Sequence, residues 1–135
     1  MTATIFCSAP CAAGEVPRLT VTVEGRVIPT IRGTYCWPLD GGKGNFCADA
    51  VSPTDLVKDQ VPAVVPPGAR MMMHFDQPPS TVFVSQWIAG APIRQPRAAD
   101  GSVTLPQEAA AYLYDVFAQW KAGDADYIFT VEIRP

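Results

Sequence analysis

The stretch EAAAYLYDVFAQWKAGDADYIFTVEI, residues 108–133, decides how this chain folds. Tyr112, Tyr114, Val116, Ala118 and Trp120 alternate with Leu113, Asp115, Phe117 and Gln119. After KAGD, the residues Tyr127, Phe129, Val131 and Ile133 resume the alternation. A side-chain period of two belongs to a strand that turns one face to a core and the other to water. Two long antiparallel strands joined by a tight turn account for it.

The same rhythm recurs upstream. Leu19, Val21 and Val23 alternate with Thr20, Thr22 and Glu24, and Glu24–Gly25 is a two-residue turn that sets Val21 opposite Ile28 in a strand over 26–31. Gly33 to Trp37 reads as extended. Between 69 and 75, Ala69, Met71, Met73 and Phe75 share one face and Arg70, Met72 and His74 the other, so the three methionines are split. STVFVSQWIAG, residues 80–90, is a strand ending near Trp87, and Ser102 to Leu105 is a short one. Ala89 to Gly101, with two prolines, two arginines and no period, reads as a long surface loop. Pro62, Pro66, Pro67 and Gly68 enforce an extended segment and a turn. Ser52, Pro53 and Asp55 form a helix start, with a hydroxyl cap, a proline where no donor is needed and an acid at the positive end of the dipole, good to about Lys58. About seven strands with so little helix predict an all-β, antiparallel two-sheet sandwich with one short helix.

The 135 residues suit one domain, expected over 18–135 behind a flexible segment 1–17. Fourteen prolines and ten glycines fit short strands and turns. A net charge of −3 carries no basic footprint for nucleic acid, and no apolar run approaches the roughly eighteen residues of a transmembrane segment. The opening MTATIFCSAPCAAGEVP is no intact signal peptide, but its small residues and cysteines resemble the end of an export signal or lipoprotein leader.

The four cysteines fall into two pairs whose meaning depends on redox compartment. Ten residues separate Cys36 from Cys47, a spacing that suits neither a metal pair nor a redox dithiol. In an exported chain a disulfide is the expectation, closing a loop with Gly41, Gly42 and Gly44. GGKGNF lacks the order of a phosphate-binding loop. Whether Cys7 and Cys11 pair is left open.

Three groups of side chains invite a functional reading. His74 is the sole histidine, so a Ser/His/Asp or Cys/His site requires it, yet alternation puts it beside Arg70 on the outer face as a solvated strand residue. A blue-copper centre is excluded by count. Asp124 and Asp126 flank a turn and point outward, with Asp115 on the neighbouring strand; weak calcium binding or a carboxylate pair stands against the commoner roles in turns and solubility. Trp37, Trp87 and Trp120 are expected as core anchors unless exposed in a row. No catalytic residue, metal ligand or cofactor site follows, and the ligand-binding residues are unassigned.

Ala110 and Tyr112 at the start of a long strand resemble the tyrosine corner of immunoglobulin-like domains, with Tyr114 where antibody domains place their second inter-sheet cysteine. The resemblance implies an immunoglobulin-like sandwich without the antibody disulfide and with Tyr114 in the core. More specifically, Val21 to Pro29, Gly33 to Trp37, Cys47, Ser52 to Lys58 and Tyr112 to Trp120 are similar to small exported proteins and lipoproteins of Gram-positive bacteria. That likeness implies export and fold, and contributes no catalytic residue. The resulting expectation is a non-catalytic extracytoplasmic interaction or sensing module whose partner is a protein or cell-wall component. The alternatives are a small carbohydrate-active accessory domain or hydrolase, and a proteinase-inhibitor-like domain presenting Ala89 to Gly101 or Pro38 to Phe46.

Overall fold

The alternating stretch forms two paired strands, β10 (Ala111–Gln119) and β11 (Asp124–Ile133), in register from Ala111 opposite Glu132 to Gln119 opposite Asp124. The computed structural model describes residues 16–39 and 44–135. Before this hairpin run β1 (Leu19–Val23), β2 (Arg26–Ile28), β3 (Ile31–Pro38), β4 (Asn45–Ala48), the helix α1 (Pro53–Leu56), β5 (Ala63–Val65), β6 (Arg70–Phe75), β7 (Thr81–Ile88), β8 (Ala91–Gln95) and β9 (Val103–Thr104). The smaller sheet has four strands in the order β2-β1-β6-β9. The larger has seven, β4-β3-β11-β10-β7-β8, with β5 parallel to the end of β11. The chain crosses between the sheets five times, at β2 to β3, β5 to β6, β6 to β7, β8 to β9 and β9 to β10, so the fold is an all-β sandwich whose two layers are interleaved along the sequence.

The inner faces meet in an aromatic core. Tyr114 stacks on Phe129 with centroids 5.6 Å apart, and Trp120 meets Trp37 and Phe75 edge-on at 5.4 and 5.7 Å. Val21, Met71, Val116, Ala118, Ala125 and Val131 fill the space between and are fully buried. Tyr114 lies in this core, fully buried, and its ring packs on Phe129 of the neighbouring strand. Tyr112 Oη donates to Glu108 O at 2.8 Å, the hydrogen bond of a tyrosine corner. At the β10–β11 turn Gly123 is obligatory, because a Cβ there would lie 2.1 Å from Cys36 O.

Local expectations meet the structure in detail. Glu24 and Gly25 take φ of 53° and 78°, and Val21 faces Ile28. Ser52 Oγ accepts from Asp55 N at 3.3 Å, with Pro53 in the first turn of α1. Among the described residues there are eleven strands rather than about seven. The expected loop 89–101 is in part strand: Ala89 and Gly90, at φ 52° and 82°, turn the chain tightly so that β8 pairs with β7 from Ile88–Ala91 to Val84–Gln95. An alanine in the left-handed region announces a turn less clearly than asparagine does, and Pro92 argues against a central strand, whereas β8 lies at the edge. Val16 and Pro17, expected in the leading segment, belong to the domain: Val16 packs on the core and Tyr127 Oη donates to Pro17 O at 2.6 Å. Cys7, Cys11, Gly41 and Gly42 lie outside the described residues.

Cys36 and Cys47 form a disulfide between directly opposed positions of β3 and β4. Replacing both with serine is expected to lower stability by about 2–3 kcal/mol in urea unfolding, mainly through the freed unfolded chain. Tyr112→Phe, which removes the corner hydrogen bond and little packing, is expected to cost about 1 kcal/mol in the same measurement.

Candidate functional site

The outer face of the larger sheet carries the chain's unusual chemistry. Opposed residues share a face, so the registers place side chains in rows across it. Trp87 lies opposite Leu113, Ser85 opposite Asp115 and Phe83 opposite Phe117 between β7 and β10. Asp115 lies opposite Ile128 and Phe117 opposite Asp126 between β10 and β11. Asp115 and Asp126 are therefore diagonal neighbours, and Phe83, Trp87, Leu113 and Phe117, all half-buried, surround Asp115 on the side of β7 and β10. Arg94 on β8 stacks its guanidinium over Phe83, 3.9 Å from the centroid.

Part of this face is roofed. Gly33 leaves a gap where an added Cβ would meet Asp126, Ile128 and Leu56 of α1, and Ile128 is only 1% exposed although it points away from the sandwich core. Gln60, just past α1, lies 3.4 Å from Thr130 Oγ1. Over β7 and β8 no described residue forms a comparable roof.

Burial between the rings and under α1 makes ionisation of both carboxyls costly. Asp126 is pushed up to about 8, first by desolvation, then by its hydrogen bond to Asp115 and by the charges of Asp115 and Asp124. Asp115 is also raised by burial, offset in part by the hydrogen bond from Asp126 and by Trp87 Nε1, which donates to Asp115 Oδ2 at 3.4 Å. Two ionised carboxylates can only accept, and Asp115 Oδ1 is buried without another donor. The pair is satisfied when Asp126 keeps its proton and donates it to Asp115. It titrates as a unit with one proton retained near neutrality.

Asp124 and Asp126 do point to the outer face as expected, but Asp126 is no solvated turn carboxylate. The paired-carboxylate reading of Asp115 with Asp126 is the one the fold brings together. No group of three His, Cys, Asp or Glu side chains among the described residues is placed to hold a metal ion. His74 is exposed on the outer face of the other sheet, opposite Thr20, and the thickness of the sandwich separates it from the carboxyls. Trp37 and Trp120 are core anchors, 2% and 7% exposed, and Trp120 Nε1 donates to Gln77 O at 2.8 Å. Trp87 departs from that pattern and stands on the outer face. A second polar group, Arg70 paired with Asp100 beside Ser102, closes the turn before β9 and lies apart from this face.

A group whose folded-state pKa is raised binds more protons when folded, so stability falls as pH rises between the unfolded and folded values. For Asp126 that window runs from about 4 to about 8: its contribution is whole below about 4 and lost as pH passes through about 8. Because the site is partly solvated, the expected loss is only about 1–2 kcal/mol. Asp126→Asn, whose amide replaces the shared proton, is expected to flatten this slope and to be more stable than the parent at pH 9, read from urea midpoints across pH.

Among the described residues no helix is long and apolar enough to cross a membrane. Comparisons with protein families, curated proteins and solved structures return no match for this chain.

Proposed function

We propose that this chain is a non-catalytic interaction module of the extracytoplasmic space that recognises a protein or cell-wall component through the outer face of its larger sheet. The observation that carries the reading is the cluster of half-buried Phe83, Trp87, Leu113 and Phe117 beside the Asp115–Asp126 pair, on strands β7 and β10. Aromatic side chains held rigid by a sheet offer contact area at small entropic cost, and clustered rather than scattered apolar exposure marks a binding surface. The Cys36–Cys47 disulfide supports the location, since such bonds persist in oxidising compartments.

The hydrolase alternative draws on the same carboxyls. Glycoside chemistry asks for carboxyl groups about 5–10 Å apart, with room for sugar or water between them. Asp115 and Asp126 are instead diagonal neighbours on adjacent strands whose interaction raises the Asp126 carboxyl, an arrangement suited to holding a proton between strands. The inhibitor alternative loses one of its candidate loops, since Ala91–Gln95 is a paired strand.

Purified chain, presented to isolated cell-wall material and to solubilised surface proteins, is expected to bind saturably, and Trp87→Ala with Phe117→Ala is expected to reduce affinity at least tenfold while circular dichroism is retained. Equal binding by that double variant would remove the face from the reading. Turnover of polysaccharide that vanishes in Asp126→Asn would replace it with the hydrolase.

A further inference from the structure

Among the described residues the two sheets present five edges, and four are blunted. β5 has three residues set between Pro62 and Pro66, and Val64 O accepts from Arg26 Nη1. β8 carries Pro92 and Arg94, β2 is three residues long and begins at Arg26, and β9 has two residues, with Ser102 N just before it donating to Asp100 Oδ1 and Ser102 O accepting from Ala98 N. The remaining edge, β4, reads NFCA: it has neither proline nor charge.

Its backbone direction follows from the pairing. Leu39 N donates to Gly44 O at 3.0 Å, so in the antiparallel alternation Trp37–Phe46 is a bonded pair, while Pro38–Asn45 and Cys36–Cys47 are not. Pro38, with no N–H, fits that assignment. The N–H and C=O groups of Asn45 and Cys47 therefore point away from β3, and no described strand pairs with them. The disulfide pins β4 to β3, which holds these groups in strand geometry. Phe46 is 49% exposed on the inner side, beside Tyr35 at 6.1 Å, where the seven-stranded sheet overhangs the four-stranded one.

We propose that β4 is a strand-pairing edge for a second copy of this chain, joining two larger sheets across a two-fold axis at Phe46. Antiparallel pairing centred there sets Asn45 against the Cys47 of the other copy and Cys47 against its Asn45, so each outward N–H meets an outward C=O. Phe46 then lies against Phe46 on the shared inner side, extending the apolar ledge begun by Tyr35. A neutral edge suits self-pairing in a chain of net charge −3, because the contact strand brings no like charges together. A partner of another sequence would gain no charge complementarity from it. The interface lies at the edge remote from Trp87 and Phe83, so it stands independently of the binding face proposed above.

Sedimentation equilibrium of the oxidised chain is expected to show mass rising from 14.5 kDa toward twice that value over roughly 1–200 μM, the range of a small interface. Asn45→Pro removes one outward donor without touching a bond to β3, and Phe46→Lys sets like charges together; each is expected to weaken dimerisation at least tenfold. Ile93→Lys on the β8 edge is expected to leave it unchanged. Hydrogen exchange gives a readout free of substitutions: the Asn45 and Cys47 amides should slow as concentration rises. A chain that stays monomeric throughout overturns the proposal. So does a dimer that persists in both Asn45→Pro and Phe46→Lys, one that dissociates in Ile93→Lys, or one in which the two amides exchange at a constant rate.

Discussion

The register of β10 against β11 is the constraint on which the rest of the structure depends. Its nine opposed pairs put Tyr114, Val116, Ala118, Ala125, Tyr127, Phe129 and Val131 on one face, and every one is buried. A slip by one residue in either strand would reverse that strand's faces. Tyr114 would then meet water, and Asp115 or Asp126 would enter a core with no donor for it. Each carboxyl inserted that way costs several kcal/mol, and each ring withdrawn adds about 1.5–3 kcal/mol. The carboxyls on the outer face thus oppose the wrong register as firmly as the rings favour the right one. β7 and β3 take their positions from this ladder, so an error in it would propagate through the whole larger sheet.

Unequal sheets follow from what each strand can cover. The four-stranded layer hides the centre of its partner, where Met71, Val21 and Val23 oppose Phe129 and Val116 in one cluster. Beyond its limits the larger sheet runs uncovered at both sides, with Ile88 and Ile93 half-exposed on one ledge and Phe46 on the other. The two ledges are handled differently. On β8, Pro92 withholds a donor and Arg94 adds charge and a stacked guanidinium. On β4 neither device is present, and the disulfide acts in the opposite sense by keeping the edge straight.

What was legible in the sequence was whatever local geometry writes. Alternation announced β1, β6, β10 and β11, the Glu24–Gly25 turn announced its hairpin, and the hydroxyl, proline and acid at 52–55 announced α1. Tyr114 as a core residue came from the resemblance to a tyrosine corner, and it is 1% exposed. β5 was not legible, since three residues, Ala63–Val65, acquire strand character only from a parallel partner some seventy positions away. β8 was obscured by an alanine at positive φ and a proline that an edge strand tolerates. The Asp115–Asp126 pair was within reach but needed one more step. Trp120 N donates to Gly123 O at 2.8 Å, so the turn has two residues, Lys121 and Ala122, and counting outward from it places Phe117 opposite Asp126 and Asp115 on the diagonal. Without that length, KAGD leaves a carboxylate pair among Asp115, Asp124 and Asp126 as one alternative and does not single out the Asp115–Asp126 diagonal.

The carboxyl pair is also where stability and surface chemistry diverge. A cross-strand diagonal on an outer face is satisfied by many neutral pairs, and two acids that must share a proton are a poor choice for holding strands together. Asp115 has a donor in Trp87, but Asp126 has only the proton it keeps, at the cost of a folded state that weakens as that proton leaves. Phe117 opposite it and the cover of α1 beside Gly33 intensify that cost, because each removes water that would otherwise solvate the charge. The pair therefore makes physical sense as part of the surface composed by Trp87, Phe83 and Phe117, where a polar centre within an apolar ring lends direction to a contact that rings alone would leave non-directional.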